Sequence, residues 1–95
     1  MGQLRYYSMI PHDKPEWLLR LQLDISIEYA QREIEDTQEN WEELKGYADA
    51  LIHQMYTRRD IQIKSDVRTE IRTDEGKTVL WINRNNKVIQ IYHIK

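Results

Sequence analysis

The sequence predicts an α+β domain, an antiparallel sheet packed on one long central helix, and three observations carry that reading. Between Ala30 and Met55 apolar residues recur at spacings of four and three; on both sides of that stretch they recur at every second position; and segments bearing Gly or Asn separate the last runs from one another. The first pattern belongs to a helix with one buried face, the second to half-buried strands, and the third to hairpin turns. In chain order the elements read β-β-α-β-β-β.

The first strand, Leu4 to Ile10, has the weakest signal. The second is Leu19-Arg-Leu-Gln-Leu-Asp-Ile-Ser-Ile-Glu-Tyr29, which alternates apolar and polar residues without a miss. A helix competes for this segment, because Asp13-Lys14-Pro15-Glu16 resembles a capping box with an early proline, and Leu23, Ile27 and Ala30 extend the helical stripe backwards. The strand is preferred because a helix would spread these apolar side chains around most of its circumference.

The helix stripe is Ala30, Ile34, Thr37, Trp41, Leu44, Ala48, Leu51 and Met55, with Thr37 its weakest member. Glu33, Glu35, Asp36, Glu39, Glu42 and Glu43 fall between and concentrate negative charge toward the N-terminal end, which the helix dipole favours. A helix over 30–57 would be about 42 Å long. After it, Ile61, Ile63, Val67, Thr69, Ile71 and Thr73 alternate with polar residues in a run long enough to require a bulge or bend near Ser65-Asp66. Asp74-Glu-Gly-Lys77 reads as a turn, Thr78 to Arg84 as a strand apolar on both sides, Asn85-Asn86 as a two-residue hairpin loop, and Lys87 to Lys95 as the last strand.

With 95 residues, 40% hydrophobic and 32% charged, the chain suits one domain with one core. The absence of cysteine excludes a disulfide framework, a thiolate metal site and a cysteine nucleophile. Without an apolar leader or a spanning segment, a soluble cytoplasmic protein is the default expectation. The charge is divided: residues 1–56 carry 5 basic and 11 acidic side chains, residues 57–95 carry 9 and 5. An acidic helix beside a basic sheet explains the division more simply than a nucleic-acid or membrane contact.

Catalytic, metal and cofactor sites are not expected. His12, His53 and His93 lack metal-ligand spacing, Ser8, Ser26 and Ser65 lack a nucleophile elbow, and no glycine-rich phosphate loop occurs. Glu35, Glu39 and Glu43 recur every four residues, which a solvated helix face explains better than a cation site. Register is more informative. Closing the last hairpin at Asn85-Asn86 pairs Ile82 with Ile89, Trp81 with Gln90, Leu80 with Ile91 and Val79 with Tyr92, while the preceding turn sets Ile71 opposite Leu80 and Thr69 opposite Ile82. Ile71, Leu80, Ile82, Ile89 and Ile91 then share the core face. The other face carries Arg68, Arg72, Val79, Trp81, Val88, Gln90 and Tyr92.

Arginine and aromatic side chains are the types enriched at binding hot spots, so Arg68, Arg72, Trp81, Gln90 and Tyr92 are the expected partner-binding residues. The expected function is a non-catalytic protein-binding module, of inhibitor, immunity or adaptor type, acting on a protein partner or a second copy of itself. The alternative is nucleic-acid binding, with Trp81 and Tyr92 stacking on bases and Lys64, Arg68, Arg72 and Arg84 on phosphates.

Overall fold

The computed structural model describes residues 1–29 and 32–95. Its elements are β1 (Leu4–Ser8), α1 (Glu16–Tyr29), α2 (Gln38–Thr57), β2 (Val67–Asp74), β3 (Lys77–Arg84) and β4 (Lys87–Ile94). The strands form one antiparallel sheet in the order β1-β4-β3-β2, and both helices contribute to a core built on one of its faces. The α+β class and the antiparallel sheet are those the sequence predicts. Two helices replace the single long one, and the sheet has four strands.

The difference lies in residues 19–29, which are helical rather than extended. The carbonyl of Pro15 accepts from the backbone N–H groups of Leu18 (3.1 Å) and Leu19 (3.3 Å), so the chain enters α1 at a residue with no N–H of its own to leave unpaired. Strict alternation in a helix resolves into two rows with a four-residue repeat, about 200° apart at 100° per residue. Trp17, Leu21, Ile25 and Tyr29 form the inner row, joined by Leu18 and Gln22, and all six are buried. Leu19, Leu23 and Ile27 form the outer row and remain 48%, 51% and 67% exposed. The circumferential spread that favoured a strand is therefore present on the folded helix.

Helix α2 begins later than expected. Thr37, the weakest member of the stripe, is its N-cap, with its hydroxyl accepting from the backbone N–H of Asn40 (3.2 Å). Ahead of it, Ile34 bridges to Gly2 through two backbone hydrogen bonds of 2.7 and 3.1 Å. Gly2 is wedged here, since a Cβ would lie 2.6 Å from the carbonyl oxygen of Lys95. Ala30, the expected first stripe residue, lies outside the described residues. Trp41, Leu44, Ala48 and Met55 are buried as the spacing predicts, whereas Leu51 is only partly buried and its neighbour Ile52 is buried instead.

Strand β2 starts at Val67 rather than Ile61. The Tyr56 hydroxyl marks that start by donating to the Ser65 carbonyl (2.8 Å) and accepting from the Val67 N–H (2.9 Å). Two tight turns join the last three strands: Glu75 and Gly76 have φ of 51° and 78°, Asn85 and Asn86 of 52° and 67°, a paired positive-φ geometry that matches the twist of the flanking strands. The β2–β3 register is the expected one, with Ile71 opposite Leu80 and Thr69 opposite Ile82.

The β3–β4 register is not. Arg84 pairs with Lys87 and Asn83 with Val88, but a β-bulge follows, so that Ile82 pairs with Gln90, Trp81 with Ile91 and Leu80 with Tyr92. Ile89 is the inserted residue; it packs into the core, and its carbonyl accepts from Met9 N–H (2.8 Å). Beyond it every side chain of β4 changes face. The sequence explains why: without the bulge His93 would point into the core and Tyr92 and Ile94 away, whereas the bulge turns Tyr92 and Ile94 inward. The cost is a buried Gln90, offset by a 2.5 Å bond from Gln22 Nε2 on α1 to Gln90 Oε1.

No described helix is long and apolar enough to cross a membrane. We predict that Leu44→Ala, which opens a cavity beneath α2, costs about 2–5 kcal/mol in urea titration, while Glu42→Ala is nearly neutral. The Tyr92 hydroxyl and Gln90 Nε2 are buried without a hydrogen-bond partner among the described residues. Tyr92→Phe therefore leaves stability unchanged or raised, whereas Gln22→Leu, which strips Gln90 of its bond, costs about 1–3 kcal/mol in the same titration.

Candidate interaction surface

The bulge decides which of the expected site residues remain together. Gln90 (0% exposed) and Tyr92 (1%) sit on the helix side, so their expected place on the outer face is corrected: they belong to the core. Arg68, Arg72 and Trp81 stay on the face opposite the helices, which no described element covers. Ile91 takes the position expected for Gln90, and β1 adds Tyr7 and Arg5 through its pairing with Ile91 and His93.

The face is organised in rows across the strands. One row runs Glu70, Trp81, Ile91, Tyr7, from one edge of the sheet to the other. In a neighbouring position Arg72 pairs with Val79, and Arg5 with His93. The Arg72 guanidinium lies over the Trp81 ring, 4.9 Å from its centroid, and is held from the side by Glu70 at 2.9 Å. Tyr7 packs against His93 with ring centroids 5.8 Å apart. Val79 and Ile91 are only 6% and 8% exposed although no described helix or loop covers them. Their own neighbours close over them, so Arg72, Trp81 and Tyr7 form an outer layer on an apolar floor. Trp81 Nε1 and Asn83 Oδ1, two residues apart on β3, have no hydrogen-bond partner among the described residues.

Alternation along the strands places Arg5, Arg68, Arg72, Lys77 and Lys95 on this side, against Glu70 and Asp74. The helices carry the opposite sign, with Glu16, Asp24 and Glu28 on α1 and Glu39, Glu42, Glu43 and Asp49 on α2. The charge division along the chain is thus partly a division between two layers, although Arg84 and Lys87 fall on the helix side of the sheet by the same alternation. It is felt at His93, whose imidazole is held below its ordinary pKa by partial burial first and then by Lys95, Lys77 and Arg5.

Among the described residues no three His, Asp or Glu side chains are grouped so as to hold a metal ion. Glu70 and Asp66 are engaged by Arg72 (2.9 Å) and Arg68 (3.1 Å). His12, His53 and His93 lie in a loop, on α2 and on β4. Glu35 precedes α2, so it does not share a helix face with Glu39 and Glu43 as the four-residue spacing suggested. Sequence reasoning missed Tyr7 and Ile91, because the β1–β4 pairing and the bulge that bring them to Trp81 are both non-local.

The depressed pKa of His93 has a consequence for stability. As pH falls, the unfolded chain, whose histidine titrates near 6.5, takes up the proton before the folded one. The stabilisation is present above that value and is lost as pH falls through the folded pKa. Urea titrations at pH about 7 and about 5 should therefore show wild type losing more stability than His93→Gln.

No protein-family model, curated protein or solved structure matches this chain.

Proposed function

We propose that this is a non-catalytic protein-binding module, of inhibitor, immunity or adaptor type, whose partner seats on the open face of the sheet. The observation that carries the reading is the Arg72–Trp81 stack on an uncovered face. Trp and Arg dominate interface hot spots because each offers a large contact area with a fixed polar handle. Here the guanidinium is the accessible handle, oriented by Glu70 and the ring, while the indole N–H is buried without a hydrogen-bond partner among the described residues and the ring supplies apolar contact. Side chains already ordered in the free protein lose little entropy on binding. The excess of basic residues selects a partner with an acidic or neutral contact surface.

A second reading, nucleic-acid binding, is favoured by one feature, the grouping of Arg5, Lys77 and Lys95 around His93. Tyr92 is buried and cannot stack, but Tyr7, 47% exposed, stands across Ile91 from Trp81, roughly 10 Å away at two strand spacings. Against it stand Glu70 and Asp74 on the same side, and an acidic layer beneath that repels phosphate.

Affinity capture from native lysate, run with and without nuclease and with a Trp81→Ala/Arg72→Ala variant as the control bait, tests both readings. The expected result is a nuclease-resistant protein partner that the variant fails to retain, with binding weakened by at least about 2 kcal/mol when the isolated pair is measured. Equal capture by both baits would sink the assignment of this face. Affinity for single-stranded oligonucleotides that falls log-linearly with salt would instead establish the second reading.

A further inference from the structure

The outer row of α1 is unexplained by the fold and is separate from the open sheet face. Leu19, Leu23 and Ile27 are 48%, 51% and 67% exposed, repeat every four residues and stand on the opposite side of the helix from the inner row. We infer that this row is the contact between two copies of the chain, joined as an antiparallel α1–α1 pair about a two-fold axis through Leu23.

Three features of α1 favour a second copy in that orientation. The row is symmetric about Leu23: with Leu23 on the axis, Leu19 lies opposite the partner's Ile27, so the same three side chains satisfy each other in both directions. The flanking charges are also self-complementary. Arg20 and Asp24 lie on one flank of the row, joined within the chain at 3.4 Å and still 44% and 22% exposed. A two-fold axis perpendicular to the helices sets each flank against its own copy with the direction reversed, bringing Arg20 beside the partner's Asp24 and Asp24 beside the partner's Arg20. In a parallel pair that flank would instead face the Ser26 flank, and Glu16, about 20° from the centre of the row at 100° per residue, would approach its own copy. Finally, three side chains this exposed offer on the order of 300 Å² of apolar surface per copy, a common size for a functional patch but less than half the usual contact area of a stable complex. The dimer is accordingly weak, with a dissociation constant in the micromolar range.

Sedimentation equilibrium from about 5 to about 500 µM should show a reversible monomer–dimer equilibrium. Leu23→Glu should raise the dissociation constant by about 100-fold while circular dichroism retains the helical content, because Leu23 makes no part of the core. Arg20→Asp should weaken the dimer about tenfold, and adding Asp24→Arg should restore it to within about threefold. The chain has no cysteine, so cross-linking reads the register directly. Leu23→Cys should oxidise rapidly to a disulfide-linked dimer; Leu19→Cys should not, since its copy would lie about 12 Å away along the helix axis, beyond disulfide reach. A wild-type chain that is monomeric throughout the series, a dimer indifferent to Leu23→Glu, or equally rapid cross-linking at both positions overturns the proposal. So does a dimer that Trp81→Ala dissolves, which would place the copies on the open sheet face.

Discussion

One inserted residue, Ile89, decides which way β4 and the strand beyond it face. Because side chains alternate along a strand, an extra residue in the middle of β4 reverses everything after it. Tyr92 and Ile94 turn toward the helices, Ile91 and His93 turn away, and β1, which pairs only with the part of β4 beyond the bulge, inherits the same reversal. Leu4 therefore packs against the core, while Tyr7 joins Trp81 outside. The exchange also brings Gln90 inside. An unpaired buried amide costs more than a paired one contributes, so the Gln22–Gln90 bond is the condition on which this register stands. That bond ties the first helix to a central strand 68 positions away in sequence and makes the placement of α1 and the face assignment of β4 one structural decision.

What could be read from the chain follows the range of the physics involved. The Asn85-Asn86 hairpin and the register of Ile71 against Leu80 are set by residues close in sequence, and both are found as expected. The stripe of Trp41, Leu44, Ala48 and Met55 is a local periodicity strong enough to fix the buried face of α2. Thr37 is instructive: as a stripe residue it was weak, as a cap it is a good choice, and its poor fit to the stripe was the signal that the helix begins there. The bulge has no comparable local mark. It is chosen by comparing what each register buries, which requires knowing that α1 stands ready to pair with Gln90.

The reading of residues 19–29 failed for a different reason. Alternation at every second position is the signature of a half-buried strand, but it also generates two rows with a four-residue repeat on a helix, and Leu19 to Tyr29 satisfies both. The strand reading assumed that exposed leucines would not be left on a surface helix. Leu18 is what distinguishes the two cases, since it is buried at a position where the alternation calls for a polar residue, whereas Trp17 fits both patterns. The candidate site was legible to the same degree. Arg68, Arg72 and Trp81 follow from the β2–β3 hairpin alone, whereas Gln90 and Tyr92 had to be given up and Tyr7 and Ile91 gained, because their positions depend on the bulge and on a pairing between the two ends of the chain.

The two surfaces lie on opposite layers, and this has a mechanical consequence. The open face belongs to the side of the sheet away from the helices, and the outer row of α1 belongs to the helical layer. A pair of chains joined through α1 would bury the apolar row between the copies and leave both Arg72–Trp81 stacks directed outward on opposite sides of the assembly. The acidic layers would lie toward the middle and the basic sheet faces outside, so the charge separation of the single chain becomes a particle positive at both ends. Such a particle is bivalent. Two modest contacts to a partner that is itself repeated or dimeric act together through the effective concentration of the second contact, and the gain requires no additional contact surface. A weak dimer makes that gain depend on the concentration of the chain, because dissociation of the pair returns each stack to its single-site affinity.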